Sequence, residues 1–146
     1  MGCTHSSKDI KPIKPNGQAC PAVLFPLENG RTATVNYHQY QFELESQSVS
    51  LEYLEHYTQP KLLAKCLSWV CTALDRRTNQ PVAIKKNTDF DERLWVVHCL
   101  REIKVNRQLE HPNIVKMLDC FPGVSTQGLE AVYLVFGEQC DLDGAM

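Results

Sequence analysis

From Lys61 onward the apolar residues change their period twice, and that change limits the fold more than any other feature of this 146-residue chain. Lys61–Cys66 and Trp69–Leu74 have strand character, the second placing Val70 and Thr72 on one side and Cys71 and Ala73 on the other. The polar run Asp75-Arg76-Arg77-Thr78-Asn79-Gln80 reverses the chain, and Val82–Lys86 returns as a third strand to complete an antiparallel hairpin. Between Asp89 and Glu110 the spacing lengthens. Leu94, Val97 and Leu100, with Val96 and Ile103, recur at helical intervals, with acids early and Arg107 late as a helix dipole favours. His111-Pro112-Asn113 ends that helix, because proline cannot continue it. Ile114–Phe121 and Ala131–Phe136 then read as two more strands around a loop bearing Gly123 and Gly128. The order β-β-β-α-β-β predicts an α+β fold, a five-stranded antiparallel sheet with one long helix.

Residues 1–52 follow a different pattern. Prolines at 12, 15, 21 and 26, Asn-Gly pairs at 16–17 and 29–30, and a Ser/Gln-rich stretch at 46–50 break any sustained period. They read as a mostly irregular extension, 1–52, ahead of a folded region, 53–146. Within it Thr34–Leu44, with Val35, Tyr37 and Phe42 to Leu44, alternates enough to suggest an edge strand or a docking segment.

A composition of 43% hydrophobic and 22% charged residues suffices for one core. The net charge is −2 with both signs interspersed, which excludes the basic footprint of a nucleic-acid partner. Seven cysteines without a C-x-x-C do not suit a closed disulfide framework and point to a reducing, intracellular compartment, the cytoplasm. His5, His38, His56, His98 and His111 show no ligand spacing, so no metal site is expected. The apolar runs are far shorter than a bilayer span. The opening Met1-Gly2-Cys3-Thr4-His5-Ser6 matches the pattern for N-myristoylation at Gly2, with Cys3 beside it as a palmitoylation site and Lys8, Lys11 and Lys14 following. One myristoyl chain binds membranes only marginally, with an association constant of ~10⁴ M⁻¹, so association with a membrane surface needs a second signal. A chance glycine followed by a solvated tail is the alternative.

Four strings in the folded region carry a resemblance: Val82-Ala83-Ile84-Lys85-Lys86, Leu100-Arg101-Glu102-Ile103-Lys104, His111-Pro112-Asn113-Ile114-Val115 and Val132-Tyr133-Leu134-Val135-Phe136. In this order and spacing the chain resembles the N-terminal lobe of a eukaryotic protein kinase from about Tyr57 to Leu142. The Asp75 to Thr78 turn, the doubled lysine and Asp89-Phe90-Asp91 make it most similar to the MAP kinase and cyclin-dependent kinase group of serine/threonine kinases, MAP kinases being closer. The resemblance implies ATP with Mg²⁺ as cofactor and a protein substrate or partner. It implies that Lys85 contacts the α/β-phosphates and that Glu102 holds Lys85 by an ion pair. It further implies that Val70 and Ala83 wall the adenine, that Phe136 is the gatekeeper, and that Glu138 and Gln139 lie in the hinge.

Two departures qualify what is implied. The family's G-x-G-x-x-G-x-V loop would place its glycines at Leu63, Lys65 and Ser68, and no glycine occurs from Arg31 to Pro122. Without them the backbone approaches phosphates less closely, although Lys65 offers a charge in place of backbone donors. Gly137 also stands where the hinge usually has an acid. The 146 residues hold neither an H-R-D-x-x-x-x-N nor a D-F-G string, so the resemblance implies a kinase domain truncated after the hinge and inactive alone. Two functions stay open: part of a MAP-kinase-type serine/threonine kinase, or a pseudokinase lobe acting as a membrane-tethered protein-binding module.

Overall fold

The structure, a computed structural model, describes residues 11–12, 18–20, 23–44, 47–65, 68–88, 90–124 and 130–137. Its principal sheet has five antiparallel strands in the order β10-β11-β9-β8-β7: β7 (Tyr57–Lys65), β8 (Trp69–Asp75), β9 (Gln80–Asn87), β10 (Met117–Pro122) and β11 (Val132–Gly137). One helix, α1 (Arg93–Asn106), lies between β9 and β10 in sequence. This is the expected α+β build of a kinase N-terminal lobe.

The β8–β9 reversal is set by Asp75, which is only 4% exposed. Its carboxylate accepts from the Arg77 backbone N–H at 2.9 Å and from the Arg77 guanidinium at 3.1 Å. Asn79 closes the turn at φ +56°, a left-handed conformation that asparagine tolerates, and its N–H donates to the Asp75 carbonyl. Strand β7 is less regular. Gln59 adopts φ +53° where the β7–β8 register shifts between Thr58 and Lys61, the mark of a bulge.

The stretch 1–52, expected to be mostly irregular, is where structure and expectation differ. Its described part contains β1 (Lys11–Pro12), β2 (Gln18–Ala19), β3 (Val23–Pro26), β4 (Thr32–Val35) and β5 (Tyr37–Leu44), and β6 (Gln47–Leu54) runs through position 52/53. Strands β5 and β6 form an eight-pair hairpin from Tyr37↔Leu54 to Leu44↔Gln47, and β1 and β2 pair with β5. The reason is burial. Tyr40, Phe42, Val49, Leu51 and Tyr53 share one face of the hairpin by register and are all buried, while the polar residues that blur the pattern, such as Gln41 and Ser50, take the other.

That face meets the face of the large sheet bearing Cys71, Ala73, Val82, Ile84, Phe121, Tyr133 and Val135, and together they make one core. All five tyrosines of the chain belong to it. Three of the hydroxyls have close partners that offset their burial: Tyr37 donates to the Pro122 carbonyl at 3.0 Å, Tyr57 to Asp119 Oδ2 at 2.9 Å and Tyr133 to Glu52 Oε2 at 2.6 Å, whereas the Tyr53 hydroxyl has no hydrogen-bond partner among the described residues. The Tyr57–Asp119 bond joins β7 to β10, the two edge strands, and the Tyr57 ring stacks on Phe121 at 5.8 Å. The sheet is thus curled until its edges meet through side chains, with the hairpin across the gap.

Helix α1 differs from expectation at its start. It begins at Arg93, so the acids precede its first turn, Glu92 caps it without a side-chain hydrogen bond, and only Lys104 follows the dipole rule in the last turn. Its facing also differs: Leu94 and Leu100, read as part of the apolar period, are 61% and 60% exposed, and Cys99 is the buried residue. Ile114 and Val115 are exposed as well, and β10 starts only at Met117.

Candidate functional site

Adjacent lysines on β9 point to opposite faces of the sheet, and each has its own acid. Lys85 Nζ donates to Glu102 Oε1 on α1 at 2.8 Å, both side chains about 30% exposed (31% and 28%). Lys86 turns toward the hairpin, where its Nζ donates to the Ser50 carbonyl at 2.7 Å, lies 3.8 Å from Glu52 Oε2 and sits over the Tyr133 ring at 5.7 Å. The alternation of a strand does the sorting. A cavity of about 250 Å³ opens on the Lys86 side, lined by Glu52, Lys86, Thr88, Gly123 and Ala131 among others, away from Lys85.

Register places the other expected residues on the Lys85 face. Val70 and Leu134 are directly opposite Lys85 on the two flanking strands, while Ala83, two residues from Lys85, is opposite Thr72 and Phe136. Val70, Ala83 and Phe136 are half-buried. Leu134, fully buried, shares this face and was not singled out by the motifs, although its place two residues before Phe136 is a usable signal. Helix α1 is held to the sheet by the Lys85–Glu102 pair and by Asn87, whose Nδ2 lies 3.7 Å from Cys99 Sγ. Burial pushes the Cys99 thiol up, which keeps it protonated beside Glu102. On the opposite face burial drives the Cys71 thiol up to about 12, and it lies against the Tyr53 hydroxyl as a neutral core group.

The residues in the glycine positions are less suited to a phosphate. Leu63 is 47% exposed on β7, Ser68 donates instead to Asn87 Oδ1 at 3.2 Å, and the Lys65 backbone pairs with Trp69. Gly137 donates its N–H to the Lys116 carbonyl, and a side chain there would meet nothing closer than Leu118 at 3.9 Å, so glycine is not sterically required. Gly2, Cys3, Glu138 and Gln139 lie outside the described residues. Among the described residues no group of three His, Cys, Asp or Glu side chains is placed to hold a metal ion, and no helix is long and apolar enough to cross a membrane.

The chain is 41% identical over 75 residues to Mitogen-activated protein kinase 4 of Oryza sativa subsp. japonica, covering 51% of this chain and 20% of that protein. It is 39% identical over 75 residues to Mitogen-activated protein kinase homolog NTF3 of Nicotiana tabacum, covering 51% of the chain and 20% of the relative. It is 42% identical over 66 residues to Mitogen-activated protein kinase spk1 of Schizosaccharomyces pombe, covering 45% of the chain and 18% of the relative. No family model matches the chain. About half of this chain is therefore similar to MAP kinases at about 40% identity, and the match spans about a fifth of those relatives' length. The five-stranded antiparallel sheet with its single helix is the fold of a kinase N-terminal lobe.

Proposed function

We propose that this chain carries the small lobe of a serine/threonine protein kinase of the MAP kinase type, which in its complete form transfers the ATP γ-phosphoryl group to protein hydroxyls. The observation that carries the proposal is the 2.8 Å Lys85–Glu102 pair, on the same sheet face as Val70, Ala83, Leu134 and Phe136 and within a chain about 40% identical to MAP kinases over half its length. In this reading Lys85 presents its ammonium to the α/β-phosphates, and Glu102 keeps that ammonium over the sheet face. Val70, Ala83 and Phe136 enclose the adenine, and the backbone at Glu138 and Gln139 meets its edge. Mg²⁺ accompanies the nucleotide and neutralises charge on its phosphates.

Leu63, Lys65 and Ser68 weaken the phosphate clamp, so affinity for MgATP is low. Calorimetric titration of the chain tests this. Lys85→Met abolishes the residual binding, and the triple change Leu63→Gly, Lys65→Gly, Ser68→Gly tightens it; binding indifferent to both refutes the nucleotide reading. The missing glycines also favour a second reading, a pseudokinase lobe that binds a protein partner, and failure of the restored loop to bind nucleotide selects it. Membrane tethering through myristoyl-Gly2 and palmitoyl-Cys3 belongs with either reading. Incorporation of a clickable myristate in eukaryotic cells, lost on Gly2→Ala, tests it.

A further inference from the structure

Cys99, Glu102 and Asn106 recur along one side of α1, where Glu102 meets Lys85 and Cys99 meets Asn87. The opposite side carries Arg93, Leu94, Val97, Leu100, Arg101, Lys104 and Val105. Leu94, Leu100 and Val105 are 61%, 60% and 55% exposed, and Arg93, Arg101 and Lys104 are exposed with them. None of these three cations forms an ion pair among the described residues. The helix has one acid, Glu102, and it faces the other way, bound to Lys85. Asp91 and Glu92 stand only at one end, before the first turn.

A solvated helix face is ordinarily polar; one that interleaves three exposed aliphatic side chains with three unpaired cations and no anion is built for a surface both apolar and negative. We propose that the outer face of α1 docks on an anionic lipid surface. Leu94, Leu100 and Val105 enter the boundary between headgroups and acyl chains, and Arg93, Arg101 and Lys104 meet acidic headgroups. Shape favours lipid over an acidic peptide. The face is the convex side of a single helix, which presents its side chains outward to a surface that yields around them, as a lipid interface does. Each cation near an anionic leaflet adds about fivefold to partitioning. The inference needs neither nucleotide binding nor acylation, and would supply the second attachment that a lone myristoyl chain lacks.

The test is sedimentation of the unacylated 146-residue chain with phosphatidylcholine vesicles, with and without phosphatidylserine. Binding is expected only to the phosphatidylserine vesicles and to fade as salt is raised. The triple change Arg93→Glu, Arg101→Glu, Lys104→Glu weakens it at least about fiftyfold. Leu94→Asn with Leu100→Asn and Val105→Asn also weakens it, with the helical circular dichroism of both variants retained. Arg31→Glu, Lys61→Glu, Arg76→Glu, an equal charge change at exposed sites off the helix, leaves binding intact. No vesicle binding, equal binding to neutral vesicles, equal loss in both charge variants, or capture of an acidic amphipathic peptide in place of vesicles each overturns the proposal.

Discussion

At Asp75 burial works against the charged carboxylate, and the side-chain and backbone hydrogen bonds from Arg77 work for it and prevail, holding its pKa below the ordinary 3.8. A carboxylate so placed stabilises the fold at every pH above the unfolded value, and that contribution disappears as acidification carries pH through the lower, folded one. Asp75→Ala leaves the Arg77 N–H without its acceptor and lowers unfolding free energy by roughly 2 kcal/mol in urea titrations near neutrality. His56 titrates in a milder range. Burial first, and then the Arg77 charge, push its pKa below 6.5, and its buried Nε2 has no hydrogen-bond partner among the described residues. The unfolded chain therefore takes up a proton that the folded one resists, so stability falls once pH drops through 6.5. Urea midpoints at about pH 7.5 and about pH 5.5 measure that slope, and His56→Gln flattens it. At this scale the sequence was most informative about Lys85 and Glu102, because strand and helix motifs fix their spacing. It was silent about Lys86, whose partners Ser50 and Glu52 lie in a segment without any motif.

Among the elements, the β5–β6 hairpin depends on a few polar contacts to seat its apolar face. Lys86 and Glu52 are 15% and 16% exposed, so removing the lysine leaves a nearly buried carboxylate without its counter-charge, held only by the Tyr133 and Ser50 hydroxyls, and takes a donor from the Ser50 carbonyl. Lys86→Met is expected to cost about 2–3 kcal/mol and to raise amide hydrogen exchange in 37–54 ahead of β8 and β9. Exchange rising uniformly across the sheet would contradict a hairpin held at this point. The hairpin was partly legible: Val49, Leu51 and Tyr53 alternate cleanly, but Ser and Gln between them read as loop composition, and Tyr37 falls out of phase with Tyr40. In α1 the helix itself was plain, but which side it buries was not. Two apolar stripes share its circumference, and docking through Glu102 and Cys99 exposes the Leu94–Leu100 stripe.

For the molecule as a whole, the hairpin is inseparable from the sheet it covers, since Tyr37, Tyr40, Phe42, Val49, Leu51 and Tyr53 supply six of the sixteen side chains of the buried cluster. Deleting residues 1–54 leaves Ile84, Tyr133 and Phe121 facing water, and the remaining chain is expected to lose cooperative thermal unfolding and to bind a hydrophobic dye. A sharp calorimetric transition in that truncated chain would show that the sheet stands alone. The seating of the hairpin on the sheet has a bearing on how the protein is made. Tyr37 waits for Pro122, 85 residues later, and Glu52 for Tyr133, 81 residues later. At a synthesis rate of about 5–20 residues per second, the hairpin's aromatic face emerges roughly 4–17 s before the strands that cover it. Throughout that interval it is an apolar surface open to aggregation on a nascent chain, left without its cover until β11 is translated.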